Sequence, residues 1–252
     1  MASEGMHSPV EQFEIKPIVE LAAGGYDISF TNSSLFMLLA MVVGGGFLFS
    51  AMRNRELVPG RMQGAAEMMY EFVADMVRSN VGNDGRAYFP FVFTLFVFLL
   101  FGNMLGLIPY SYTFTSQIIV TFAIAGFVFI GVTLIGLFKH GLHFFSFFVP
   151  QGAPKVLIPF LIVIEVISYF VRPVSLSVRL FANMLAGHTM LKVFAGLAVM
   201  ISGAGGIAMT GSVLPFLALV GLTGLEVLVA ALQAYVFTIL TCMYLNDALH
   251  LH

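Results

Sequence analysis

Ionisable side chains inside long apolar runs are the residues of this sequence that could do chemistry. The first such run, residues 156–200, contains Glu165, Arg172, Arg179, His188 and Lys192. The second run, residues 211–246, contains only Glu226. A charged group at the depth of a bilayer costs about 3 kcal/mol on insertion scales and up to about 17 kcal/mol in simulations. These residues are therefore candidate functional residues rather than ordinary surface charges.

A spacing of three or four residues places the polar side chains of the first run on one helix face. This polar stripe consists of Glu165, Ser168, Arg172, Ser175, Arg179 and Asn183. In the second run Glu226 and Gln233 share a face, with the small Ala230 between them. Two polar faces on otherwise apolar helices predict surfaces that do not face lipid.

Arg179 is the leading candidate because it lies far from both ends of its run. A guanidinium stays charged even when it is buried, so in a dry site it needs an anion. Within the chain, the carboxylates that could supply this anion are Glu165 and Glu226. Two structural alternatives are permanent pairing with one of these carboxylates and extension of the side chain to the membrane interface.

His188 follows Arg179 on the opposite side of the same helix, because helical residues advance by about 100° each. Imidazole exchanges protons near neutral pH, and a buried carboxyl can be brought to do the same. His188 and Glu226 therefore predict a proton relay, in which Asn183 and Gln233 could hold water. A structural hydrogen bond between helices is the alternative role for His188.

The elements that hold these residues must lie in a membrane. Hydrophobic residues make up 59% of the 252-residue chain and charged residues only 10%, whereas soluble domains are about a quarter charged. No Asp, Glu, Lys, Arg or His occurs between Ala87 and Phe138. A soluble fold cannot hide that much apolar surface, because surface area shrinks too slowly with size. The composition therefore predicts an integral membrane protein.

The predicted fold is one all-α membrane domain, 1–252, with about five membrane helices. Residues 33–138 hold three spans, at 33–52, 89–109 and 116–138, and an amphipathic surface helix at 59–80. Residues 156–247 hold two apolar runs that are each longer than the roughly 20 residues needed to cross a bilayer. Two long, steeply tilted helices forming a hairpin account for this length. A hidden turn in each run, giving seven helices, is the alternative.

Basic residues orient these helices by the positive-inside rule. The connections after the first and third spans contain Arg53, Arg55, Arg61, Lys139 and Lys155. The N-terminal arm, residues 1–32, is acidic and lacks the basic start and apolar core of a signal peptide. We therefore expect the arm and the turn at Tyr110 outside, and the C-terminus inside.

Other classes of function lack their sequence signals. The net charge of −2, without basic patches, argues against nucleic-acid binding. No Walker loop or GxGxxG motif occurs, so we expect the chain to bind no nucleotide. His140 and His143 lack the glutamate of a zinc-protease motif, and we expect neither a metal nor a cofactor. No arrangement of nucleophile and base supports an intramembrane enzyme.

Four segments resemble subunit a of F-type ATP synthases. They are PVSLSVRLFANMLAGH at 173–188, FGNMLGLIP at 101–109, HSPVEQF at 7–13 and LQAYVF at 232–237. The resemblance covers essentially the whole chain and is strongest over residues 158–245. His188 with Glu226 is the arrangement of mitochondrial and alphaproteobacterial members, whereas many bacterial members carry the reverse pair.

This resemblance implies a stator subunit with no catalytic site of its own. It would provide two offset proton half-channels that couple proton flow to ring rotation and ATP synthesis. Arg179 is implied to face the ring carboxylate of subunit c and to block a direct leak. The outward half-channel is implied to be lined by Asn183, His188, Glu226 and Gln233. Glu165 is implied to lie near the inward half-channel, and the stripe residues Arg172 and Ser175 are secondary candidates.

The same resemblance implies partners and a location. The partners are the subunit c ring, the b and b′ subunits of the peripheral stalk and the other membrane-sector subunits, with protons as the transported ion and lipid around the chain. The location is the bacterial inner membrane rather than the mitochondrial one, with a periplasmic N-terminus and a cytoplasmic C-terminus. The alternative function is a secondary transporter, which usually has two related halves with broken helices. Here the polar residues are confined to the C-terminal half.

Overall fold

The computed structural model describes residues 13–20, 22–23, 26–27, 29–53, 56–108, 111–149, 157–203 and 208–250. Within these residues five helical segments are long and apolar enough to cross a membrane. The all-α membrane fold predicted from the sequence is therefore confirmed. Several positions used to predict it lie outside the described residues, namely 7–12, Arg55, Tyr110 and Lys155.

The described residues of the first half of the chain form four α-helices. They are α1 (Asn32–Arg53), α2 (Arg61–Val81), α3 (Phe89–Gly106) and α4 (Ile118–His140), and a 3₁₀ turn, Gly82–Tyr88, joins α2 to α3. The spans predicted at 33–52, 89–109 and 116–138 match α1, α3 and α4 to within three residues. Apolar runs become helices in a membrane because a helix satisfies all of its backbone hydrogen bonds internally.

The amphipathic helix predicted at 59–80 is α2, and its apolar face packs against the other helices. Its buried side chains include Ala66, Val73, Met76 and Val77. The centroid of the Phe72 ring lies 5.8 Å from that of Phe96 of α3 and 5.6 Å from that of Tyr235 near the C-terminus. The helix is therefore held against the bundle on one side, while Arg61, Glu71, Asp75 and Arg78 remain exposed.

In the described part of the N-terminal arm there are four short strands, none of which the sequence predicts. β1 (Pro17–Val19) pairs antiparallel with β4 (Phe30–Thr31), and β2 (Ala22–Ala23) pairs antiparallel with β3 (Tyr26–Asp27). The amide of Gln117, just before α4, donates to the carbonyl of Phe13. The Asn32 amide at the start of α1 donates to the carbonyl of Glu14 at 3.0 Å. The arm is thereby attached to the end of the bundle where α1 and α4 begin.

The second half is a hairpin of two long helices. After the 3₁₀ segment Gly141–Phe148, the chain forms α5 (Ile158–Gly203), the single turn α6 (Ala208–Gly211) and α7 (Val213–Leu249). With 46 and 37 residues, α5 and α7 are about 69 and 55 Å long. Both helices are continuous, even at Pro173 inside α5, so the hidden turns of the seven-helix alternative do not occur.

Contacts between α5 and α7 show that they run antiparallel. His188 of α5 lies beside Glu226 of α7, whereas the earlier residue Arg172 lies beside the later residue Asp247. The core lies where these helices meet α3 and α4, and its most deeply buried side chains include Leu99, Leu180, Met184 and Phe237. This packing fixes which face of α5 turns toward the bundle and which turns away.

Candidate functional site

The polar stripe of α5 lies on the outer surface of the described chain. Its residues Ser168, Ser175, Arg179 and Asn183 are exposed, and Glu165 and Arg172 are half-buried. The apolar residues beside them are also exposed: Val171 by 51%, Val174 by 45% and Val178 by 43%. A row of polar groups therefore crosses an otherwise apolar outer face. Such a face fits a neighbouring membrane protein better than it fits lipid, since lipid offers polar groups no partners.

Arg179 is a cation on this face that forms no ion pair with any described residue. The two carboxylates that the sequence offered as partners lie elsewhere. Glu226 is buried beside His188 on the inner side of α5, and Glu165 lies 14 residues before Arg179, about 21 Å along the helix. The structural alternative of a permanent internal ion pair therefore does not apply to Arg179 among the described residues.

His188 and Glu226 meet in the interior between α5 and α7. The ring atom Nδ1 of His188 lies 3.3 Å from Oε1 of Glu226. His188 is 9% exposed and Glu226 5% exposed. The approach is close because Gly187 has no side chain: a Cβ at this position would lie 2.8 Å from Oε1 of Glu226. The predicted pairing of these two residues is therefore present in the structure.

The carboxyl group of Glu226 lies buried in this interior. Neither of its oxygens accepts a hydrogen bond from a described residue. A buried carboxylate without donors is costly, so a proton or a donor delivered to it is strongly favoured. The neighbouring imidazole is a group that can deliver and remove that proton. The pair can therefore act as a proton-exchange site.

The other predicted relay residues lie apart from this pair. Gln233 is 7% exposed and shares the inner face of α7 with Glu226, about 10 Å further along the helix. Asn183 is exposed, on the outer face of α5 with Arg179. The face of α7 that carries Glu226 and Gln233 is thus turned to the interior of the chain, whereas the polar stripe of α5 faces outward. Among the described residues, no hydrogen bond joins Asn183 or Gln233 to His188, whose polar partners are Thr113 and Glu226.

Two residues of the α3–α4 region were missed by the sequence analysis. Thr113 places its hydroxyl oxygen 2.8 Å from Nε2 of His188. Asn103 of α3 is fully buried, donates to the carbonyl of Ala230 on α7 at 3.2 Å, and accepts from the Thr115 hydroxyl at 2.9 Å. An asparagine within an uncharged apolar span is a signal that could have identified Asn103. The sequence holds no comparable signal for Thr113.

Arg172, a secondary candidate, has partners within the chain. Its guanidinium lies 2.8 Å from the Asp247 carboxylate and also lies over the rings of Tyr169 and Tyr244, at 5.6 and 5.3 Å from their centroids. This arrangement joins α5 to the end of α7. Arg172 is therefore a structural cation in the described chain, which distinguishes it from Arg179 on the same stripe. Ser175, the other secondary candidate, is exposed one turn before Arg179.

Comparison with known proteins shows which family the chain matches. Residues 34–246 match the family model described as ATP synthase A chain. The chain is 58% identical to ATP synthase subunit a of Rhodospirillum rubrum over 247 residues, which cover 98% of this chain and 100% of that relative. It is 55% identical to ATP synthase subunit a of Parvibaculum lavamentivorans over 96% of this chain and 93% of the relative. The same name belongs to a relative from Agrobacterium fabrum, which is 55% identical over 97% of this chain and 98% of the relative.

Proposed function

The chain belongs to the ATP synthase subunit a family, the proton-channel stator subunits of the membrane sector, and from this membership we propose how its residues move protons. As a family member it is a multi-pass membrane component of the ATP synthase and works with other ATP synthase subunits. We propose that two half-channels reach the ring of c subunits on either side of Arg179. The observation that carries this proposal is that Arg179 is exposed on the outer face of α5 and forms no ion pair with any described residue.

Arg179 provides the charge that the ring carboxylate meets. A guanidinium exposed on an apolar surface needs an anion, and its own chain supplies none among the described residues. A carboxylate on a ring that turns past α5 satisfies this need once per step. The fixed cation stabilises the ionised carboxylate and repels a proton that would otherwise cross directly.

His188 and Glu226 form the exchange site of the outward half-channel. His188 lies on the inner face of α5, about 14 Å along the helix from Arg179, and Glu226 of α7 lies beside it. A proton passing between them reaches the ring carboxylate on one side of Arg179. Gln233 and Asn183 lie on the way from this pair to the outer face, as the exposed position of Asn183 supports. Their role is to hold water rather than to contact His188.

Glu165 belongs to the inward half-channel. It lies on the outer stripe, about 21 Å along α5 from Arg179 in the direction away from His188. The order His188, Arg179, Glu165 along one helix places the arginine between the two acid–base groups. That order supports offset entry and exit, with Arg179 as the barrier between them. Moving one charge through 100 mV yields about 2.3 kcal/mol, so several protons are needed for each ATP.

The remaining parts of the proposal concern partners and orientation. We propose contact with the c ring along the α5 stripe and with the b and b′ stalk subunits elsewhere on the chain. We propose a bacterial inner membrane location with a periplasmic N-terminus and a cytoplasmic C-terminus. The arm then lies at the same end of the bundle as the Thr113 link, which supports its position on the proton-entry side. α5 and α7 run unbroken, whereas broken helices would be typical of the secondary-transporter alternative.

Replacement of Arg179 tests this function. Arg179→Ala is expected to abolish ATP synthesis and ATP-driven proton pumping by the assembled complex. Arg179→Lys is not expected to restore them, because the planar fork of the guanidinium is lost. The matched control is Arg78→Ala, which removes an exposed cation from α2 outside the stripe. Proton pumping by the Arg179→Ala complex at the normal rate would overturn the assignment.

A further inference from the structure

The link between α3 and α4 enters the bundle at two glycines of α3. A Cβ at Gly102 would overlap the Phe114 ring, and a Cβ at Gly106 would overlap the Thr113 side chain. The GxxxG spacing in α3 therefore receives the link rather than another helix. This close packing buries Thr113 to 4% exposure and places it against His188 of α5.

Among the described residues the hydroxyl of Thr113 has two polar neighbours, and it carries one hydrogen. Its oxygen lies 2.8 Å from Nε2 of His188 and 3.1 Å from the carbonyl oxygen of Gly106. The Gly106 carbonyl can only accept, and one of its two lone pairs accepts from the Ser111 hydroxyl at 2.9 Å. If the Thr113 hydrogen pointed to His188 instead, the lone pairs of the Thr113 and Gly106 oxygens would face each other at 3.1 Å and repel. The Thr113 hydrogen therefore goes to Gly106. The Thr113 oxygen therefore presents a lone pair to His188, and this lone pair accepts a hydrogen bond from an N–H at Nε2.

We propose that Thr113 is a positioning residue that holds neutral His188 with its hydrogen on Nε2. The lone pair on Nδ1 then faces Oε1 of Glu226 at 3.3 Å. This inference rests on the proposed function, because it assigns the atom at which the proton-exchange site works. The Phe13 ring, with its centroid 6.3 Å from the His188 ring, packs beside the imidazole. Lys192, on the same helix, is another charged neighbour of His188 among the described residues.

The position of the ring hydrogen of His188 decides whether a proton can pass between Glu226 and His188 without rotation of the imidazole ring. With Nδ1 unprotonated, the O–H of a protonated Glu226 breaks, an N–H forms on Nδ1, and a carboxylate and an imidazolium result. The reverse transfer restores both neutral groups. In the other tautomer an N–H would already occupy Nδ1. The free lone pair would then be on Nε2, on the side of the ring turned toward Thr113.

Variants of Thr113 separate this role from simple packing. Thr113→Val keeps the shape but removes the acceptor, whereas Thr113→Ser keeps the hydroxyl. The control is Thr121→Val, since the fully buried Thr121 hydroxyl contacts only the carbonyls of Gln117 and Ile118 among the described residues. Passive proton conductance of vesicles that contain the assembled membrane sector should fall about tenfold in Thr113→Val, the scale of one lost buried hydrogen bond. Thr113→Ser should restore most of the conductance, and Thr121→Val should leave it unchanged.

Nitrogen NMR of ¹⁵N-histidine-labelled complex reads the tautomer directly, with His188→Gln used to assign the signal. In the unmodified complex neutral His188 should carry its hydrogen on Nε2, and in Thr113→Val both tautomers should appear. A hydrogen on Nδ1 in the unmodified complex would overturn the inference without any variant. The inference would also be overturned if Thr113→Val left both the tautomer of His188 and the proton conductance unchanged. The proposed function is tested separately by Glu226→Gln. Full proton conductance in that variant refutes the relay itself. Lost conductance in Glu226→Gln together with normal conductance in Thr113→Val refutes only the role of Thr113.

Discussion

Replacing Gly187 by alanine should separate His188 from Glu226 while leaving every ionisable group in place. The added Cβ would lie 2.8 Å from Oε1 and 3.2 Å from Cδ of Glu226. Ordinary contacts between such atoms are roughly 3.5 Å or longer, so the carboxyl must retreat by about 0.7 Å. Since Gly187 and His188 are neighbours on α5, this retreat lengthens the distance from Nδ1 to Oε1.

The expected size of the effect follows from that displacement. The present distance between Nδ1 of His188 and Oε1 of Glu226 is 3.3 Å. Adding the retreat gives about 4 Å, which is beyond the range of a hydrogen bond. A misplacement of about 1 Å at a reacting group can cost a hundredfold in rate. We therefore expect proton conductance per assembled complex to fall between about tenfold and a hundredfold.

The assay is passive proton uptake by vesicles containing the membrane sector, normalised to the amount of assembled complex. The matched control is Gly196→Ala, because a Cβ at Gly196 meets nothing within 4 Å on the same helix. Both substitutions raise helix propensity equally, so a lower helical stability cannot explain a difference between them. Equal conductance in the two variants would refute the view that contact between His188 and Glu226 carries the proton.

Two further predictions concern stability. Breaking the ion pair between Arg172 and Asp247, whose side chains are 22% and 32% exposed, should cost about 1–3 kcal/mol, between the values for exposed and buried pairs. A double-mutant cycle on the thermal unfolding of the complex measures this, and a coupling energy near zero would contradict the structural role of Arg172. Gly102→Ala should destabilise the complex by about 1–3 kcal/mol through overpacking against Phe114, whereas Gly126→Ala, where a Cβ meets nothing within 4 Å, should not. Equal melting temperatures for the two alanine variants would show that the link does not depend on that glycine.

Much of the helical architecture could be predicted from the sequence because hydrophobicity alone determines it. Uncharged runs gave α1, α3 and α4 close to their observed bounds. The length of the last two runs indicated continuous helices, and Pro173 did not break α5. The strands of the arm were not predicted, since pairs of two or three residues have no pattern that distinguishes them from a loop.

The candidate site was predictable where the chemistry lies along one helix. The stripe containing Glu165, Arg179 and Asn183 follows from helical spacing, and the structure places it on one outer face. Contacts between distant segments could not be predicted in this way. Thr113 reaches His188 from 75 residues away, and Arg172 reaches Asp247 across the same separation. Such contacts depend on how α3, α5 and α7 pack, and the spacing of residues within one helix does not predict that packing.

Electron cryomicroscopy of the assembled complex in lipid tests the central claim most directly, by measuring which anion lies nearest to the guanidinium of Arg179. We predict a carboxylate of the neighbouring ring within about 6 Å of the guanidinium, the range in which one charge strongly affects another. Glu165 and Glu226 should both remain unpaired with Arg179 in every rotational state. A persistent ion pair between Arg179 and either of these carboxylates, or a guanidinium that faces lipid with no ring carboxylate in reach, would contradict the account.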